Sequence, residues 1–471
     1  MRLWISTTLF SERVAKSRWS AIGLIVAIAI SLRVTPELVA FPHAVGYDTI
    51  NYYIPVLTNL EQHWQSISDD FPLFILILYA VKAVTGLSAH TVVTGSAVAL
   101  FGVFAVAVFS ISRTLLKLAQ WQSIVVTIFV VVQLAVLRTA WDLHRDLFSL
   151  SILLFIFSLL GSKERFRGTL ALLVVLCCLT VALDRMVGLL LLISLVTGAI
   201  FTRNKRMTFL AAVSGGLFVI LLVASSAGTL ESPETASTSA NSDPPMPSGL
   251  DYLVLFAVLN GSIAIPAILG VLRTNQLLLK VPLIVSGLGS FSWMVLSEPA
   301  MLVPERWVIM FGVFASLFAG YFILKIVQSH KRRNPIIASV LVTFGAIGIM
   351  YAVLPYDQPL PLLAFTKYYI EQFMPVTMQF NALDVRDNER LLAAIKEINR
   401  NTEDDAIIVG AKHWRGFMNL YLEDGRVYKF SENPVNLAAA HARLGGNVYL
   451  IQPEEGTSAF VTSKIEDSGR R

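Results

Sequence analysis

Long apolar runs, separated by short polar breaks, recur along the first three quarters of this chain and dictate its architecture. A helix needs about 20 predominantly apolar residues to cross the hydrocarbon core of a bilayer. Runs near that length lie at 19–40, 90–112, 122–137, 146–160, 169–183, 187–201, 208–227, 250–272, 281–296, 307–327 and 335–354. They predict a polytopic α-helical membrane protein with about eleven transmembrane helices. Several are short, which a locally thinned bilayer or a water-filled cavity tolerates. After residue 354 the pattern changes. LDVRDNERLLAAIKEINRN is spaced as an amphipathic helix, DDAIIVGA reads as a buried strand and HWRGFMNLYLEDG as a second helix. RVYKF, NPVNLAAAHARLG and NVYLIQ continue as strand, helix and strand. Such alternation predicts a small α/β domain with some parallel pairing. No glycine-rich phosphate loop opens any of these helices, which argues against nucleotide binding.

One apolar piece, FPLFILILYAVKAVTG at 71–86, is short, carries Lys82 and begins on Pro72. Whether it crosses decides which side every later loop faces, and charge settles the matter. If it lies in the interface, the N-terminal basic group falls on one side with Arg113/Lys117, Lys163/Arg165/Arg167, Arg203/Lys205/Arg206, Arg273/Lys280 and Lys331/Arg332/Arg333. Asp48, Glu61, Asp69, Asp70, Asp142, Asp146, Asp184, Glu231, Glu234, Asp243, Glu298 and Glu305 fall on the other. That is the positive-inside pattern. The expected layout is therefore a cytoplasmic N-terminus (1–18), a transmembrane domain (19–354) and an extracytoplasmic α/β domain with its connecting segment (355–471). The first outer loop (41–89) holds interfacial helices, and a Ser/Thr/Pro-rich outer loop at 228–249 is flexible.

Composition agrees with lipid as the main solvent. Of 471 residues 55% are hydrophobic and 15% charged, against about 25% charged in soluble domains. The net charge of +5 resides in the loop clusters, with no basic face interleaved with aromatics, so a nucleic-acid partner is not expected. The first run lacks a small-residue cleavage site and reads as a retained anchor. Cys177 and Cys178 are adjacent in an apolar run, cannot readily bridge, and act as small apolar fillers.

Four stretches place ionisable groups at span ends on the outer face: Asp48 beside Tyr47 and Tyr52, RTAWDLHRDLFSL, ALDRMVG, and SEPAMLVPERW. Individually, such charges mark a water boundary, form structural ion pairs or, for Asp142 and Asp146, cap a helix. His43 and His144 lack partners at ligand spacing, and His413, Trp414 and Arg415 suit packing as well as a glycan. Collectively the four stretches deliver carboxylates and guanidiniums to one face. A cavity there suits a lipid phosphate, whose oxygens match the planar donor fork of arginine.

The motif GYDTINYY directly after the first span, the proline-led FPLFILIL, the many short spans and the α/β tail resemble the GT-C superfamily of membrane glycosyltransferases. That superfamily uses polyprenyl-phosphate-linked sugars and includes protein O-mannosyltransferases and lipid A aminoarabinose transferases. The resemblance covers nearly the whole chain in layout, with weaker echoes in HRDLFSLSILLF, LDRMVGLLLL and ERW. It implies a membrane glycosyltransferase of the cell envelope with Asp48 as the loop carboxylate. The donor would be a polyprenyl-phosphate sugar and the acceptor a protein, lipid or glycan, in a multi-pass cell-membrane setting. Two departures matter. The Trp-Trp-Asp-Tyr-Gly motif of oligosaccharyltransferases does not occur, which argues against whole-oligosaccharide transfer to asparagine. Asp142 and Asp146 are four apart instead of forming Asp-x-Asp, which leaves dependence on a divalent metal open; no other cofactor is implied.

The expected chemistry is inverting transfer to a hydroxyl, with Asp48 as base and positive charge at the departing phosphate. Arg306, Arg145 and Arg185 are the candidate phosphate ligands. Tyr47, Tyr52, Asp142, Asp146, Asp184 and Glu305 are the supporting residues. A secondary transporter and a non-catalytic scaffold remain as alternatives, because intramembrane charge also serves transport and fold alone does not fix activity.

Overall fold

A computed structural model of the protein describes residues 17–46, 48–59, 73–162, 168–228, 249–295, 304–328, 333–353, 385–410, 414–423, 425–430, 434–443, 447–453 and 460–465. The first described helix is α1 (Arg18–Ala40), which Ser17 caps through the Ser20 amide at 3.3 Å. A π-helical turn (Thr49–Tyr53), α2 (Ile54–Asn59) and α3 (Leu73–Thr85) follow. Next come α4 (Ala89–Thr114), α5 (Gln120–Val131), α6 (Leu134–Trp141), α7 (His144–Gly161), α8 (Thr169–Leu183) and α9 (Arg185–Thr202). The helical part closes with α10 (Lys205–Gly228), α11 (Gly249–Leu272), α12 (Leu277–Ser290), α13 (Pro304–Val327) and α14 (Arg333–Val353).

Each apolar run expected as a helix is helical over most of its described residues, but eleven spans are not confirmed. Among the described residues seven helices are long and apolar enough to cross, or eight if α5 and α6 form one span bent by 67°. Thr169–Leu183, Leu277–Ser290 and Pro335–Gly348 fall short. Hydropathy registers where apolar residues run; it does not register where polar residues interrupt the helix. Gln133 interrupts the expected 122–137 run, its side chain donating to the Phe129 carbonyl at 2.9 Å, whereas the break at Asp184, which caps α9 by accepting the Val187 amide at 2.8 Å, falls where the sequence pattern put it. The 13-residue α3 is too short to span. Its Lys82 ammonium turns onto the Leu57 carbonyl at 2.7 Å, tying it to α2. The 228–249 loop lies outside the described residues except at its two edges.

Burial ranks the helices. Within the apolar window of Pro304–Val327, 83% is buried inside the protein, against 17% for Lys205–Ala224. So α13 forms the axis of the bundle and α10 its rim, where Val219, Ile220 and Val223 stand exposed. Hydroxyls inside the bundle satisfy themselves on the preceding turn, as Thr127 does on the Ser123 carbonyl at 2.7 Å and Ser151 on Leu147 at 2.7 Å. This is the local solution available where water is scarce.

The C-terminal part comprises α15 (Val385–Asn401), β1 (Ile407–Gly410), α16 (Arg415–Tyr421), β2 (Val427–Phe430), α17 (Pro434–Arg443), β3 (Val448–Pro453) and β4 (Phe460–Ile465). The sheet order is β2-β1-β3-β4, with the first three strands parallel. β4, which the sequence pattern did not single out, adds an antiparallel edge. It pairs Val448 with Ile465 through Pro453 with Phe460. Ile408, Val409, Val448 and Ile451 are fully buried in this sheet.

The α/β part rests on the first loop of the membrane part. Phe417 of α16 meets the His43 ring edge-on at 6.1 Å, and Gly416 lies against the Ile50 backbone. A Cβ at 416 would collide with the Ile50 carbonyl, so only glycine permits this approach.

Candidate active site

The site begins at Asp48, the residue leading into the π-helical turn Thr49–Tyr53. Wide turns of this kind occur frequently at functional sites because they shift side chains out of helical register. The turn is seated by Gly46, at φ +105°, where a Cβ would strike the Trp141 carbonyl oxygen. The loop thus lies directly on the junction between α6 and α7. There the Asp48 amide donates to Asp142 Oδ1 at 2.6 Å, and Asp142 Oδ2 faces Arg138 Nη2 at 3.3 Å. Asp142 therefore bridges a buried arginine and the backbone of the candidate base.

A second pair stands alongside. Arg145 Nε is 3.3 Å from Asp184 Oδ2, with the Asp184 side chain only 1% exposed. Asp146 and Asp184, both buried, lie side by side there. Arg306, at the head of α13, lies within electrostatic reach of Asp146, Asp48, Arg145 and Asp184. Asp48 in turn lies within reach of Arg306, Arg145 and Arg138. The first loop, the α6–α7 junction, the α8–α9 break and the head of α13 therefore meet at one place.

Burial pushes the Asp48 carboxyl above its ordinary range, against the opposing pull of Arg306, then Arg145 and Arg138. At the α6–α7 junction Asp142 is raised to about 7 by burial and by the neighbouring Asp48 charge, with Arg138 opposing. A carboxyl near neutrality is suited to accepting a proton at physiological pH.

The aromatic neighbours form the wall. Tyr53 stacks on His144 at 5.4 Å and 16°, and meets Phe74 of α3 edge-on at 5.4 Å. Tyr52, half-buried, sets its ring at 5.3 Å from Tyr53 and acts on the Arg145 charge. Of the residues singled out in the sequence, Asp48, Tyr52, Asp142, Arg145, Asp146, Asp184 and Arg306 are brought together. Glu305 is half-buried next to Arg306 and takes no part in the contacts to Asp48. Arg185 is not brought in: it is exposed at the first position of α9, where the helix turns it away from its neighbour Asp184. Tyr47 lies outside the described residues. Arg138 and Tyr53 were not singled out as site residues, although the Arg138–Asp142 spacing of four within RTAWD is the signature of a helical ion pair. Among the described residues no group of three His, Cys, Asp or Glu side chains is arranged to hold a metal ion.

Over nearly all of its length the chain is similar in fold to solved GT-C membrane glycosyltransferases. The crystal structure of ArnT from Cupriavidus metallidurans in the apo state matches at a TM-score of 0.53 and 12% identity, covering 95% of this chain and 98% of ArnT. The same ArnT bound to undecaprenyl phosphate matches at 0.52 and 10%, again over 95% and 98%. The Archaeoglobus fulgidus oligosaccharyltransferase in the apo form matches at 0.54 and 11%, covering 93% of this chain and 70% of the archaeal one. No family model and no curated protein matches the sequence. At 10–12% identity the likeness is one of fold.

Proposed function

We propose that this protein is a glycosyltransferase that moves a sugar from a polyprenyl-phosphate-linked donor to an acceptor hydroxyl on the extracytoplasmic side of the membrane. The observation that carries the reading is the convergence of Asp48 with Arg306 and Arg145, from segments remote in sequence, at one end of α13. The fold shared with ArnT, one structure of which holds undecaprenyl phosphate, supports the donor class. The positive-inside distribution of Lys and Arg supports the orientation.

In this mechanism the acceptor oxygen attacks the anomeric carbon as the bond from that carbon to the phosphate oxygen breaks. The acceptor proton passes to the Asp48 carboxylate, and the lipid phosphate departs as an anion held by Arg306 and Arg145. An acidic leaving group needs no strong general acid, so the protein supplies a base and positive charge. A single displacement inverts the anomeric configuration. Asp142 and Arg138 hold the Asp48 backbone, while Asp146 and Asp184 balance the arginines.

The test is transfer by purified protein in liposomes from a panel of undecaprenyl-phosphate-linked sugars. Asp48→Asn is expected to lower the rate about 10²–10⁴-fold, the range typical of one well-placed base. Parent-rate transfer by that variant would remove Asp48 from the mechanism, and a product of retained configuration would exclude the single displacement.

A further inference from the structure

The first span carries an ion pair that membrane insertion alone does not explain. Arg33 in α1 is fully buried, with Nη1 2.7 Å from Glu37 Oε1 one turn on. Intramembrane charges are expensive, and a buried ion pair can often be exchanged for apolar residues with no loss of stability. The position of Arg33 therefore asks for another reason.

That reason lies in its second contact. Arg33 Nε donates to the Ala140 carbonyl at 2.9 Å across 107 positions of sequence. Ala140 is in the last turn of α6, where helix geometry leaves carbonyls without an intrahelical donor. A cation there also meets the negative end of the helix dipole. The next carbonyl, that of Trp141, is the one Gly46 lies against. The residue after that, Asp142, grips the Asp48 amide. Arg33 also lies within electrostatic reach of His144, whose ring stacks on Tyr53 in the turn that follows Asp48. Both routes out of Arg33 end on the segment that carries the candidate base.

We propose that Arg33, with Glu37 as its counter-charge, is a positioning residue for Asp48: by holding the Ala140 carbonyl it fixes the α6–α7 junction from which Asp142 sets the Asp48 backbone. This deepens the reading of Asp48 as the base and depends on it for its catalytic meaning. Arg33 itself touches neither donor nor acceptor in this scheme. The amide nitrogen of a glutamine at position 33 would sit where the arginine Nε sits, and a methionine there has the same length without a donor. Arg33→Gln/Glu37→Gln and Arg33→Met/Glu37→Gln therefore differ in the donor to Ala140 and in the polarity of residue 33, and exchange in α4 reports the second.

The experiment is hydrogen–deuterium exchange on the full chain in nanodiscs, a measure of local opening. The methionine variant is expected to exchange the 46–53 peptide about tenfold faster than the glutamine variant, the order expected for losing one hydrogen bond. Peptides from α4 should keep the parent rate in both, undecaprenyl phosphate should bind both alike, and the glutamine variant should stay close to the parent throughout. Equal exchange at 46–53 in the two variants overturns the proposal. Faster exchange spread evenly over α1, α4 and α7 also overturns it, because that marks a merely structural pair. Should these variants not fold, Arg33→Leu/Glu37→Leu, which buries no polar group, makes the same comparison against the parent. Parent-rate transfer by Asp48→Asn would remove the base assignment while leaving the exchange result standing, so the two failures are separable.

Discussion

Asp142 accepts the backbone amide of Asp48 at 2.6 Å, across 94 positions of sequence, while its other oxygen faces Arg138 at 3.3 Å. One carboxylate thereby ties the first loop to the end of α6. Its side chain is 4% exposed, as is that of Arg138, so the contact is buried on both sides.

Asp142→Ala deletes the acceptor of the Asp48 amide together with the contact to Arg138 and is expected to destabilise the protein by about 1–3 kcal/mol, the cost of leaving a buried hydrogen-bonding group unsatisfied. Asp142→Asn keeps an acceptor oxygen for the Asp48 amide and should lose less. Thermal unfolding of both variants in detergent is the measurement, and equal losses would mean that the contact to Asp48 contributes nothing.

Arg306 and Arg185 separate a clustered arginine from an exposed one. Arg306→Ala is expected to weaken undecaprenyl phosphate binding at least tenfold, in line with the roughly 1.5–3 kcal/mol of a charge-assisted hydrogen bond. Arg185→Ala should leave it within about twofold, because Arg185 is exposed and apart from the cluster. A titration of each variant with the lipid phosphate decides the matter, and the reverse ranking would move the phosphate site to the α8–α9 break.

Activity and stability should respond to pH in opposite directions. With Asp48 as the proposed base, transfer requires its carboxylate form, and burial raises that carboxyl. The rate is therefore expected to fall on the acid side at a pH above the ordinary carboxylate range. For Asp142, raised from 3.8 to about 7, the folded state binds more protons than the unfolded state between those values. Its contribution to stability is thus present at low pH and is lost as pH rises through that window. Unfolding temperatures and rates measured from pH 4 to 8 test both, and Asp142→Asn should flatten the stability slope.

Gly416 couples the α/β part to the site. Gly416→Val would press a side chain into the Ile50 carbonyl, two residues after Asp48. Overpacking of this kind typically costs about 1–3 kcal/mol. The variant is expected to lower transfer at least tenfold while circular dichroism retains the full helical signal. Unchanged transfer would show that the π-helical turn is indifferent to the domain above it.

The local features of this protein were legible in its sequence because they depend on near neighbours. Apolar runs specified where helices form, the amphipathic stretch at 385–401 its helix, and the short β-branched runs the strands β1 and β3. The acids and arginines at span ends marked the site region, since charge inside a membrane is expensive unless something compensates it. Three things required the folded chain. The bend of 67° at Gln133 was not visible in hydropathy, and among the described residues seven or eight helices are long and apolar enough to cross, where eleven runs were counted. The edge strand β4 owes its form to the ladder with β3, since its mixed sequence carries little strand signal alone. The partners of Asp48 were decided by packing. Arg185 adjoins Asp184 in sequence yet faces away, because successive helical residues point about 100° apart. Arg138, by contrast, faces Asp142 from the last turn of α6, and Arg33 of α1 holds the Ala140 carbonyl of that same turn. Sequence specifies each charge and its local helix; only the packing of α1, α6, α7 and α13 determines which charges share one desolvated space.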